Sequence, residues 1–111
     1  MNIIVKARHM EVTDAMRAYV ESKAAKLPRY YGNIQSIEAT LDREADQAAV
    51  EIVVTASRKA VFVATHRQED LYASVDQCLR KITEQLRRHK DKVRDRQTAS
   101  LSESAEPPED K

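Results

Sequence analysis

The sequence predicts an α+β domain of order β-α-β-β-β-α, a four-stranded mixed sheet with two helices packed on one face. Three observations predict it. Apolar residues recur at three-to-four spacing in two stretches, alternate with polar ones in four others, and the first helical stretch stands between the first two alternating ones. A chain of 111 residues has room for one such core.

The first strand runs from Asn2 to Arg8, with Ile3, Val5 and Ala7 on one face and Ile4, Lys6 and Arg8 on the other. Thr13 then caps a helix whose first turn holds Asp14, an acid suited to the N-terminal partial charges. Met16, Val20, Ala24 and Leu27, with Tyr19 beside them, form its apolar stripe, and Arg17, Glu21, Lys23, Lys26 and Arg29 its polar side. Pro28 distorts the last turn. Gly32, the one glycine of the chain, lies where a left-handed stop is expected, so the helix spans about Thr13 to Tyr30.

Ile37, Ala39 and Leu41 oppose Glu38, Thr40 and Asp42 in the second strand, which ends in a charged turn from Asp42 to Gln47. Val50, Ile52 and Val54 define the third strand and Val61 to His66 the fourth, joined by Ser57-Arg58-Lys59, which lacks the residues tight hairpins prefer. The strand-helix-strand opening makes strands one and two parallel and the later pairs antiparallel. From about Glu69 to Arg94 the helical period returns, with Leu71, Val75, Cys78, Leu79, Ile82, Leu86 and Val93 on one side and Asp70 placed to hold the first turn. Residues 97–111 are mostly Ser, Ala, Glu, Pro and Asp with one Leu101, too polar to repay ordering, so the expected organisation is a folded domain 1–96 and a disordered acidic tail 97–111.

Composition removes several function classes. Mean hydropathy is −0.65 and no apolar run approaches the roughly 18 residues of a membrane span, and the N-terminus has no export-signal pattern, so a soluble cytoplasmic protein is expected. Cys78, the single cysteine, closes no internal disulfide and belongs to the core rather than to a reactive site. His9, His66 and His89 stand on different elements without a second ligand at metal spacing. With no glycine-rich phosphate loop and no catalytic triad order, the expectation is a protein that is not an enzyme and takes no cofactor, metal or small-molecule substrate. Asp70 and Asp76 read as structural acids, and Tyr30 and Tyr31 fit either packing or partner contact.

Charge is distributed unevenly. Residues 1–96 hold 18 Lys and Arg against 14 Asp and Glu, net +4, whereas 97–111 hold one Lys against four acids, net −3. The segment 80–96 alone carries eight basic residues against Glu84, Asp91 and Asp95. On the second helix Gln77, Lys81, Gln85, Arg88 and Lys92 form a stripe without an acid, beside a stripe of Arg80, Glu84, Arg87, Asp91 and Arg94 that alternates in sign and can pair internally. The first stripe suits successive phosphates of an RNA, with Lys23, Lys26 and Arg29 added from the first helix and His89 joining the basic surface.

Asp70-Leu71-Tyr72-Ala73-Ser74-Val75-Asp76 resembles the D-M-Y-x-A-I-D block of the ribosome hibernation-promoting factors and ribosome-associated inhibitors. Lys81, Gln85-Leu86 and Arg88-His89-Lys90-Asp91-Lys92 follow in order, the last similar to that family's K-H-K-D-K ending. Met10-Glu11-Val12-Thr13, Arg17 and Ala25-Lys26-Leu27 extend the resemblance over about residues 1–96. It implies the β-α-β-β-β-α fold and a place on the small ribosomal subunit, in the channel for messenger and transfer RNA, where basic helix faces meet rRNA and the body of the domain blocks translation sterically in stress or stationary phase. Carried over, the binding residues are Lys23, Lys26, Arg29, Lys81, Arg88, His89, Lys90 and Lys92. Glu84 stands where the family often has arginine, which weakens any contact there. The resemblance is to the short form, which acts alone or with a separate ribosome-dimerising factor. A sigma-factor partner, another label the family carries, and a double-stranded-RNA module are the alternative readings.

Overall fold

The structure, a computed structural model, describes residues 2–101, the side chains of Arg58 and of 91–101 excepted. Strands β1 (Asn2–Arg8), β2 (Ile34–Glu44), β3 (Gln47–Ala56) and β4 (Val61–Gln68) lie in the spatial order β1-β2-β3-β4, and helices α1 (Asp14–Ala24) and α2 (Leu71–Leu101) complete the predicted α+β order. β1 and β2 are parallel, joined through α1, while β2–β3 and β3–β4 are antiparallel.

Alternation sets the two sheet faces. Ile37, Ala39 and Leu41 of β2, with Val50, Ile52 and Val54 of β3, are buried under the helices. Phe62 and Ala64 continue this inner face on edge strand β4, while Val61 and Val63 point outward and are exposed. α2 closes the core with Leu71, Val75, Cys78, Leu79, Ile82 and Leu86, and α1 adds Val20 and Ala24. Ser74, fully buried, is tolerated because its hydroxyl donates to the Ala48 carbonyl at 2.8 Å.

Thr13 caps α1 as expected, its hydroxyl accepting from Met16 N at 3.1 Å. The helix is shorter than predicted: it ends at Ala24, and the chain continues into a 3₁₀ turn, Leu27–Arg29, that carries Pro28 in its opening positions. Pro28 has no N–H to continue an α-helical ladder, which favours the break before it. Gly32 has no positive φ, so the left-handed stop assigned to it is absent. Positive φ falls instead on His9 after β1, Ala45 in the two-residue β2–β3 turn and Lys59 before β4. The charged turn is tighter than predicted, because β2 extends to Glu44 and β3 starts at Gln47.

α2 runs past the predicted domain end at residue 96 to Leu101, taking in the first five residues of the predicted tail. Residues 102–111, on which the rest of that expectation falls, lie outside the described residues. Among the described residues no helix is long and apolar enough to cross a membrane.

Candidate nucleic-acid interface

Tyr19 and Tyr31 hold the two helical segments side by side and in step. At one end the Tyr19 hydroxyl of α1 donates to Asp76 of α2 at 2.8 Å, and the Tyr19 ring meets Tyr72 edge-on with centroids 4.9 Å apart. The Asp76 carboxylate pushes the Tyr19 hydroxyl above its ordinary pKa, so the phenol keeps its proton and the bond persists at neutral pH. Further along, Tyr31 meets His89 with centroids 5.4 Å apart. The order of these contacts, Tyr19 then Tyr31 against Asp76 then His89, means that the chain runs in the same direction through both segments, whose exposed cations form the helix layer of the domain.

From the α1 side that layer receives Lys23, whose ammonium lies 5.3 Å from the Tyr19 ring centroid, and the exposed Lys26 and Arg29. From α2 it receives the exposed Arg80, Arg87 and Lys90, none of which forms an ion pair among the described residues. Arg80 and Arg87 are interface candidates that the sequence pattern assigns to an internally paired stripe. Among the described side chains of that stripe Glu84 is the pairing acid, and it pairs with Arg88 at 3.7 Å. The stripe read as unpaired is therefore compensated at Arg88.

Lys81 and Gln85 are also engaged. The Lys81 ammonium donates to the Thr65 carbonyl at 2.8 Å and the Gln85 amide to the Val63 carbonyl at 2.8 Å. Four residues of helix advance about 6 Å and two residues of strand about 6.6 Å, so one row of an antiparallel helix falls in register with alternate carbonyls of β4. His89, the next member of that row, packs edge-on against Phe62 and Tyr31, with centroids 5.2 and 5.4 Å away. The row 81-85-89 clasps the sheet edge, and His89 sits in an aromatic cluster rather than on the open basic surface expected of it. No sequence signal at α2 alone shows this, because the partner carbonyls are backbone atoms of another element. The side chain of Lys92 lies outside the described residues.

Among the described residues the opposite sheet face carries three ion pairs. Lys6 pairs with Glu38, Arg67 with Glu44 at 2.8 Å, and Arg8 with Asp42 at 3.8 Å. Asp42, only 7% exposed, also accepts from His9 Nδ1 at 2.9 Å, and that bond, with the positive charge of Arg8 and against the penalty of burial, holds its carboxyl below the usual range. A shallow depression of about 440 Å³ on this face is lined by both signs of charge, including Arg8, Asp42, Glu51 and Arg67. No group of metal-ligating side chains occurs among the described residues. His66 is satisfied by Gln68, 3.0 Å away.

A domain of order β-α-β-β-β-α, with ion pairs across its open sheet face and exposed cations on its helix layer, belongs to the class of two-layer α+β proteins. Within that class the chain belongs to the Sigma 54 modulation protein / S30EA ribosomal protein family, whose model matches residues 3–94. It is 34% identical over 97 residues to a ribosome hibernation promoting factor of Azotobacter vinelandii, covering 87% of this chain and 90% of that protein. A Lactococcus lactis ribosome hibernation promotion factor is 30% identical over 92 residues, but only 49% of its length is covered, against 80% of this chain. The crystal structure of the Thermus thermophilus Protein Y N-terminal domain matches with TM-score 0.74 and 32% identity over 80% of this chain and 99% of that one. A ribosomal subunit interface protein of Coxiella burnetii shares the fold, with TM-score 0.71 at 22% identity over 81% of this chain and 98% of that one.

Proposed function

We propose that this protein is a ribosome hibernation factor: it binds the small ribosomal subunit in the channel for messenger and transfer RNA and blocks translation by occupying space, without catalysis. The relatives named as hibernation factors point to the ribosome as partner. The observation that carries the RNA-facing surface is the charge difference between the two faces of the domain. Glu38, Asp42 and Glu44 of the sheet face are matched by Lys6, Arg8 and Arg67, with Glu51 in excess, whereas Lys26, Arg29, Arg80, Arg87 and Lys90 on the helix layer lack ion-pair partners among the described residues.

On this reading the helix layer exchanges condensed counterions for rRNA phosphates, with Lys23 held over Tyr19 and Arg88 sharing its charge with Glu84. Lys81 and His89 act chiefly by fixing α2 against β4, so that the cations sit on a rigid support. Lys92 belongs to the proposed interface on sequence grounds.

Sedimentation with separated ribosomal subunits across a salt series tests the proposal. Binding to small subunits that weakens steeply with salt, and is lost when Lys26, Arg29, Arg80 and Arg87 are all changed to Glu, is the expected outcome. No association with any ribosomal particle at low salt overturns it. Capture of a protein partner that survives nuclease treatment would put a sigma-factor reading in its place.

A further inference from the structure

Tyr31 follows the 3₁₀ turn, Phe62 lies on β4 and His89 on α2, and the three rings meet in a triangle with centroids 5.2 to 5.8 Å apart and planes inclined by 64 to 76°. Phe62 is buried, but Tyr31 and His89 keep part of their surface in solvent, and Tyr30, next to Tyr31 in the chain, is 36% exposed. Packing of the core does not account for the exposed tyrosine at this corner. Arg29 and Lys90, both exposed, adjoin Tyr30 and His89 in the chain. An accessible aromatic surface with cations next to it in the chain combines two demands of single-stranded nucleic acid: a platform for a base and charge for its phosphates.

We infer that this corner, Tyr30 and Tyr31 with His89 backed by Phe62, is a docking site for an unpaired nucleobase, with Arg29 and Lys90 meeting the adjoining phosphates. The inference rests on the RNA-binding reading above and deepens it: the target on the nucleic acid contains a splayed, single-stranded base rather than duplex alone. Stacking tolerates any base because each has a π face, so the site selects strandedness more than sequence.

The test uses the whole protein with a short oligoadenylate, an RNA duplex of equal charge, and small ribosomal subunits. Tyr30→Ala is expected to weaken oligoadenylate binding about tenfold, with Tyr30→Phe restoring it and duplex binding unchanged. The salt slope stays the same, since stacking releases no counterion. NMR checks the site without any variant: ring protons of Tyr30, Tyr31 and His89 shift upfield when oligoadenylate is added to the wild type. Unshifted rings, together with wild-type affinity in Tyr30→Ala, overturn the inference. Shifted rings in a protein that ignores small subunits uphold it and remove the ribosomal reading. Small-subunit binding untouched by Tyr30→Ala, with unshifted rings, does the reverse.

Discussion

Ala45 has φ 56° in the two-residue turn between β2 and β3, a conformation in which a Cβ crowds the backbone and glycine does not. Ala45→Gly is therefore expected to stabilise the protein by about 1 kcal/mol, read from chemical denaturation. Asp42 gives a pH-dependent counterpart. Its native pKa lies below the unfolded value of about 3.9, so its stabilisation is complete above that pH and is lost as pH falls through the native pKa. Asp42→Asn should melt below the wild type at pH 7, with the gap closing below about pH 4; a gap constant across that range counts against the His9–Asp42 bond. Burial pushes the Cys78 thiol up to about 12, and its Sγ lies 3.3 Å from the Ala64 carbonyl. Iodoacetamide should therefore leave it unmodified at about pH 8 in the native state and alkylate it in denaturant.

α2 carries two rows of polar side chains with different work. Lys81 and Gln85 cover outward carbonyls of edge strand β4, the kind of row that otherwise invites another strand. Replacing both with Ala should cost about 1 kcal/mol and promote concentration-dependent association, measured by denaturation and sedimentation. Arg80 and Arg87 hold nothing among the described residues, so Arg80→Gln with Arg87→Gln should leave the melting temperature unchanged. The same pair should reduce the salt slope of RNA binding by about 0.7 to 0.9 for each phosphate that is no longer neutralised. If instead the Lys81 and Gln85 pair alone changes the slope and not the stability, the two rows have been assigned the wrong way round.

For the whole molecule, one inner face of sheet and one layer of helices share a single core, centred on Ile37, Leu41, Ile52, Ile82 and Leu86, all fully buried. Ile82→Ala opens a cavity where α2 meets the sheet and is expected to cost roughly 2–5 kcal/mol, in line with other buried truncations, by urea denaturation. Because the helix layer is carried by that core, the variant should lose small-subunit binding on warming at the temperature where its tertiary signal melts. The long axis of 53 Å against 25 and 19 Å reflects α2, whose 31 residues span about 46 Å and outrun the eight-residue β4.

The fold class, the parallel opening pair, the Thr13 cap and the inner faces of the first three strands were legible in local pattern, because periodicity and capping are properties of neighbouring residues. Basic character on both helices was legible for the same reason. Tertiary structure alone decided which of those polar residues are engaged within the fold. Lys81, Gln85 and His89 look like part of a free stripe until β4 is laid beside them, and Arg80 and Arg87 look paired until the Glu84 carboxylate is seen on Arg88. The physical reason is that a hydrogen-bond donor takes the acceptor nearest in space, and here the acceptors for Lys81 and Gln85 are backbone carbonyls 16 and 22 residues away in the chain. Side-chain spacing along one helix carries no record of them.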